Sequence, residues 1–404
     1  MTVGSRSPSD IDLTDLRAFV AGTQHDLFRT LRDHEPLHWN DESDGGRGFW
    51  SLTRHADVRA AANDHLRLSS AEGTQLAERR VEGTLHSLHN MDEPEHGKLR
   101  RVAISSLRAV KIRRWQESID ASVAQLLDEA QEKGEVEFVP AVSASLPIRV
   151  LARVLGVPAR DCPQLAEWGN IAHIQDPEYV TSDAERETAR ENLFGYFKDL
   201  TQQRRAAPQD DLVSVLVQGT VDGEPLSWDQ LAAYYIVLMA AGNETTRHLI
   251  SGAVDAFDRF PGKWERLRAD RGLLGSAVEE MMRWVTPVAF MRRTALEPIE
   301  QHGRTIEPGQ KVVLWFGSAN RDERVFADPD RFVVDRTPNE HLTFGWGVHF
   351  CMGAHLARAE AHSLFGEMLR RGLHVRLATP PERLEASMFA GIKRMPVTIG
   401  RSAS

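Results

Sequence analysis

The chain has 404 residues, 41% of them apolar and 26% charged, with a formal net charge of −9. That is the balance of an ordinary globular protein, and the negative charge favours solubility and speaks against nucleic acid as the main partner. Its two cysteines, Cys162 and Cys351, exclude a disulfide framework and suit a reducing cytosol.

The first 12 residues are polar and read as a mobile tail. No basic segment leads into an apolar one there, as a signal peptide requires. From Leu37 to Leu52 apolar and polar residues alternate around Gly45, Gly46 and Gly48, which predicts a β-hairpin. Helical periodicity then runs from Glu95 to Gln218, broken at Gly134, at Gly156-Val157-Pro158 and at Pro208. Ser227 and Gln230 form a capping box that opens a long apolar helix from Leu231 to Phe260, stopped by Pro261 and Gly262. At ~1.5 Å per residue this helix spans about 50 Å. A further helix covers Gly275 to Trp284. Extended runs follow at Arg292–Leu296, Thr305–Ile306 and Lys311–Trp315. A last helix runs from Gly353 to Arg371, and β-like segments close the chain near Lys393–Ile399. No stretch approaches the ~18 consecutive apolar residues of a membrane span. The expectation is a soluble cytoplasmic protein, mainly α with small sheets, in one large domain over residues 13–404.

The segment Phe344-Gly345-Trp346-Gly347-Val348-His349-Phe350-Cys351-Met352-Gly353 carries the chemistry. A free cysteine is usually a small buried hydrophobe. That bland reading leaves three glycines and a histidine around one cysteine, just before a helix, without a reason. Glycines supply positive φ and let the backbone approach a flat ligand. The helix N-terminus favours a thiolate. Structural zinc needs four ligands, and only one other cysteine exists.

The segment resembles the haem-binding signature of the cytochrome P-450 family at every fixed position. The resemblance implies a mainly α fold with the haem between the long central helix and the helix after the Cys loop. It implies Cys351 as the axial thiolate of haem b, whose electron donation favours O–O cleavage. It further implies His349 on a propionate, Phe344 beside the sulfur and Gly345 in the haem loop. Glu280 and Arg283 alone would be an ordinary i,i+3 ion pair. With Pro329-Asp330-Arg331-Phe332 downstream they match the family's structural Glu–Arg–Arg network, Arg331 being its third arm. His96 and Arg100 share a helix face and, with Arg293, match the family's propionate-binding residues. In Ala241-Gly242-Asn243-Glu244-Thr245-Thr246, an acid and two threonines interrupt an apolar helix against propensity. By resemblance Gly242 leaves room for dioxygen, Thr245 is the hydroxyl beside it, and Glu244 connects to a proton-delivering water chain. Many relatives carry Asp where this chain has Glu244.

The resemblance thus implies a monooxygenase that inserts one oxygen atom from dioxygen into a C–H bond. Two electrons would come from NAD(P)H through a separate reductase and ferredoxin. An intact acid–alcohol pair disfavours peroxygenase, dehydratase and passive haem-carrier readings, and leaves coupling chemistry open. Pocket walls by analogy are the Ser69–His89 loop, Ala240, Ala241, Val288, Ala289, Phe290, Met388 and Phe389, largely apolar and so suited to a hydrophobic substrate. Similar blocks occur in hydroxylases of terpenoids, sterols and branched lipids. Between His96 and Trp115 lie Lys98, Arg100, Arg101, Arg108, Lys111, Arg113 and Arg114 with no acid among them. Singly these read as a solvated helix face; together they are a candidate ferredoxin docking face of a monomeric enzyme.

Overall fold

The computed structural model describes residues 7–42, 46–77, 87–173, 178 and 182–401. Ser227 and Gln230 close the expected capping box: Ser227 Oγ accepts the Gln230 N–H at 3.3 Å, and Gln230 Oε1 accepts the Ser227 N–H at 2.9 Å. Released from that cap, the central helix runs Trp228–Arg259. At 32 residues it is about 48 Å long. Helices Ser145–Leu155, Leu274–Val285 and Ala354–Arg371 pack along it. Each ends where the sequence supplies a left-handed residue: Gly156, Thr286 and Gly372 have φ of 73°, 45° and 66°. The largest apolar cluster fills the space between these helices and Gln116–Lys133.

The predicted hairpin forms, with Leu37 opposite Leu52 and Asn40 opposite Phe49; Gly45 lies outside the described residues. It edges a five-stranded sheet in the order Leu37–Asn40, Phe49–Leu52, Lys311–Leu314, Met291–Ala295, Leu68–Ser69. Only the pairing of Lys311–Leu314 with Phe49–Leu52 is parallel. A smaller sheet joins Leu373–Leu377, Pro396–Arg401 and Glu135–Glu137. Two further apolar clusters lie against the large sheet.

The N-terminal segment departs from the expected mobile tail of 12 residues. Pro8–Asp10 form a helical turn, and Ile11 is buried, its carbonyl facing His38 Nε2 at 3.0 Å and accepting from Asn40 Nδ2 at 3.4 Å. An apolar residue among polar neighbours was the signal for this docking. Residues 1–6 lie outside the description. No helix among the described residues is long and apolar enough to cross a membrane.

Candidate active site

The Cys loop is shaped by its glycines. Gly345 and Gly347 have φ of 68° and 72°, and a Cβ on Gly347 would lie 2.8 Å from the Ala62 carbonyl oxygen. The resulting turn lets the Cys351 N–H donate to the Phe344 carbonyl at 2.9 Å. The following helix opens at Ala354, so Cys351 sits just ahead of its free N–H groups. Part of the Cys351 surface is accessible, yet its sulfur lies as deep among protein atoms as a core side chain. Burial pushes this thiol above its ordinary value, against the downward pull of the Gly353 and Ala354 N–H groups, Arg100 and Arg358. The helix terminus alone would lower it; burial is the larger effect. Phe344 packs beside the loop under the Arg358 guanidinium, 4.4 Å from its ring centroid. Arg358 donates two bonds to Glu279, at 2.6 and 2.8 Å. Burial opposes ionisation of Glu279, but these bonds and His341 prevail and hold it at about 2.

The structure brings His96, Arg293 and His349 together. The His96 and His349 rings stand 4.1 Å apart, and His349 Nε2 is 3.3 Å from Ser70 Oγ. The Arg293 guanidinium is buried and donates to the neighbouring Arg292 carbonyl at 2.8 Å. Burial pushes Arg293 down to about 10; burial and then Arg293 and His96 push His349 down to about 2. Arg100 donates to the Phe350 carbonyl, one residue before Cys351. Of these groups His96 faces Glu93, Nδ1 to Oε1 at 3.2 Å, whereas Arg100, Arg293 and His349 form no ion pair with a described residue. They fit a flat group with a metal at its centre and carboxylates at its edge, which is what haem offers.

On the central helix, Ala241 and Thr245 share one face, four residues apart. Ala241 is exposed although Met239, Asn243 and Glu244 nearby on the helix are buried, and Thr245 Oγ1 donates to its carbonyl at 2.6 Å. Gly242 does not lie on that open face as expected: its missing Cβ would lie 3.3 Å from Leu151 Cδ1, so this glycine lets the helix Ser145–Leu155 approach. The helical turn separates the two positions by ~100°, and the open face belongs to Ala241. Glu244 is buried, and its Oε2 accepts from Arg247 Nη2 at 2.9 Å and lies 3.2 Å from His248 Nε2. Sequence reading had not singled out Arg247 and His248, although their i+3 and i+4 spacing from a buried acid was the available signal.

The expected pocket walls meet in part. Val288 bridges Phe389, the Ala289 N–H donates to the Met388 carbonyl at 2.7 Å, and Ala390 N–H to the Pro287 carbonyl at 3.0 Å. Val288 and Phe389 are half-buried, whereas Ala289 and Met388 are buried in packing. Phe290 departs from the expectation. It is 1% exposed, and its ring lies 4.7 Å from Trp315 in the cluster around Phe28, too committed to that core to line a pocket. Residues 78–86 of the Ser69–His89 loop and the side chain of Ala240 lie outside the description.

The third arm of the Glu280 network is Arg336, not Arg331. Arg283 donates to Glu280 at 2.7 and 2.8 Å, and Arg336 Nε to Glu280 Oε2 at 3.0 Å. The Arg331 side chain is exposed; its carbonyl accepts from both arginines at 3.2 Å.

A family model described as Cytochrome P450 matches residues 264–391. The chain is 36% identical to the putative cytochrome P450 126 of Mycobacterium tuberculosis, over 97% of this chain and 98% of that protein. It is 34% identical to the steroid C26-monooxygenase of Mycolicibacterium smegmatis, over 96% of this chain and 94% of the relative. Among solved structures, a Mycobacterium marinum cytochrome P450 in complex with pseudoionone matches with a TM-score of 0.88 and 34% identity, covering 95% and 97% of the two chains. The chain belongs to the cytochrome P450 family. It has that family's fold and is a monooxygenase of the oxidoreductase class with a haem iron cofactor.

Proposed function

We propose that this enzyme inserts one oxygen atom from dioxygen into a C–H bond of a hydrophobic small molecule of steroid or isoprenoid kind, with two electrons relayed from NAD(P)H through a reductase and a ferredoxin. What supports the reading is the Cys351 loop beside the cluster of His96, Arg293 and His349, together with the open Ala241–Thr245 face of the central helix. Cys351 holds the haem iron, and His96, Arg100, Arg293 and His349 hold its carboxylates. The bound haem supplies dioxygen activation. Thr245 holds a proton at Oγ1, and Glu244 delivers one from its carboxylate. The apolar walls at Ala241, Val288 and Phe389 orient the substrate and exclude water. Relatives named for a steroid reaction and for pseudoionone binding support this substrate class. The enzyme works as a cytoplasmic monomer, in a single domain that reaches N-terminally past residue 13 to the docked Pro8–Asp10 turn.

The test is spectroscopic. The reduced, carbon monoxide-bound protein is expected to show the red-shifted Soret band of thiolate ligation. Cys351→His abolishes it, and Cys162→Ala leaves it intact. Loss of the band in Cys162→Ala instead would sink the assignment. A screen for steroids and isoprenoids that shift the spin state then narrows the substrate.

A further inference from the structure

His248 is fully buried on the central helix, one turn beyond Glu244. Burial, then the Arg247 charge, push its imidazole below the ordinary value, so it is neutral near pH 7. Nε2 lies 3.2 Å from Glu244 Oε2, but neither ring nitrogen makes a well-angled hydrogen bond among the described residues. A fully buried imidazole left in that condition costs stability. Its position therefore asks for a reason beyond packing.

The far side of the ring supplies one. His248 lies under the turn that carries Phe389. The two rings are 6.2 Å apart, and a Cβ on Gly391 would come within 2.7 Å of His248 Cε1. Phe389 in turn bridges Val288, the other half-buried wall residue. His248 thus packs between the proton-carrying acid and the wall against which a substrate rests. Arg247 takes the same Glu244 oxygen at 2.9 Å and is itself buried.

We propose that His248 is a positioning residue that fixes the Glu244 carboxylate and transmits the seating of substrate against the Phe389–Gly391 turn to it. This rests on the reading of Glu244 as proton donor. A filled pocket presses the turn onto the imidazole and holds Glu244 in its delivering geometry. An empty pocket leaves the turn, and with it Glu244, free to shift.

The experiment uses the haem-loaded enzyme with a substrate found by the spectral screen. Four measurements are made on each variant: the spectral dissociation constant, the thermal midpoint, the share of electrons lost to peroxide, and the solvent isotope effect. Glu244→Gln tests the underlying reading and is expected to uncouple strongly. In His248→Leu the peroxide share rises several-fold and the solvent isotope effect grows, while substrate affinity stays within about twofold. His248→Gln, whose amide puts a polar N–H beside the Glu244 Oε2 that Nε2 approaches at 3.2 Å, restores most of the coupling. Gly391→Ala, whose Cβ would press on both Leu384 Cδ1 and the imidazole without altering any charge, uncouples like His248→Leu. If Glu244→Gln uncouples and His248→Leu does not, the positioning role is overturned and the proton reading stands. If Glu244→Gln itself leaves coupling intact, the proton reading falls. If His248→Gln is no better than His248→Leu, and both lose affinity and thermal stability together, His248 is only a packing residue.

Discussion

Glu280 keeps a carboxylate at 0% exposure because every oxygen lone pair is spoken for: Arg283 bidentately, Arg336, and the Val333 N–H at 2.7 Å. Arg336 also donates to the Ala327 carbonyl at 2.7 Å, so it ties the segment before the Cys loop to the helix Leu274–Val285. Removing one partner of a buried ion pair strands the other, at about 3–5 kcal/mol. Arg336→Ala is therefore expected to lower stability on that scale and to cost haem retention. Arg331→Ala, at an exposed side chain, stays within about 0.5 kcal/mol. Urea titration and the haem-to-protein absorbance ratio separate them; a larger loss at Arg331 would refute the assignment. The segment Pro329-Asp330-Arg331-Phe332 held the right signal one loop too early. Local pattern identifies that an arginine is needed, but which one turns inward depends on how a loop without regular structure folds back, and no periodicity encodes that.

At the scale of elements, the central helix was legible because its cap, its apolar run and its Pro-Gly stop agree with one another, and the structure keeps all three. The hairpin was legible from its period of two. The Cys loop was legible because positive φ at Gly345 and Gly347 leaves a mark in residue type. What the sequence did not carry was the rotation of the helix about its own axis, where one residue means ~100°. Hence Gly242 was assigned the open face that Ala241 occupies. Phe290 failed for a related reason: a short apolar run lines a pocket or a core equally well, and here Trp315 and Phe28 claim it. This geometry separates two substitutions one residue apart. Gly242→Leu forces a side chain into Leu151 and is expected to destabilise by about 1–3 kcal/mol or more, without a direct effect on ligand spectra. Ala241→Leu fills open space, so it leaves the thermal midpoint nearly unchanged and weakens or blocks spin-state shifts by bulky ligands. The reverse pattern would mean that the helix is rotated the other way.

Over the whole molecule, a net charge of −9 repels an acidic ferredoxin unless the docking face is locally basic. The seven cations between His96 and Trp115 do not contribute equally to such a face. Lys98 is paired with Asp222 at 2.6 Å, and Arg114 with Asp210 at 2.6 Å. Arg100 is turned to the Phe350 carbonyl, where it bridges the basic helix Glu95–Ile104 to the Cys loop. Arg101, Arg108, Lys111 and Arg113 are exposed and form no ion pair with a described residue. Beside the cysteine, Phe350 and Trp346 are each 38% exposed, the latter under the Arg59 guanidinium at 4.1 Å. An apolar centre near the sulfur with unpaired cations on elements tied to it matches what an acidic electron donor needs: steering at long range, then a dry contact. Steering over such a face weakens with salt because the screening length shrinks from ~10 Å at 0.1 M to ~3 Å at 1 M. First-electron transfer from a ferredoxin is therefore expected to slow steeply as ionic strength rises. Arg113→Glu or Arg108→Glu should slow it by about tenfold at low salt without changing the substrate dissociation constant. Lys98→Glu should act more weakly, since Asp222 already cancels that charge. Stopped-flow reduction under carbon monoxide reads all three variants, and a rate indifferent to both salt and these reversals would place the docking face elsewhere.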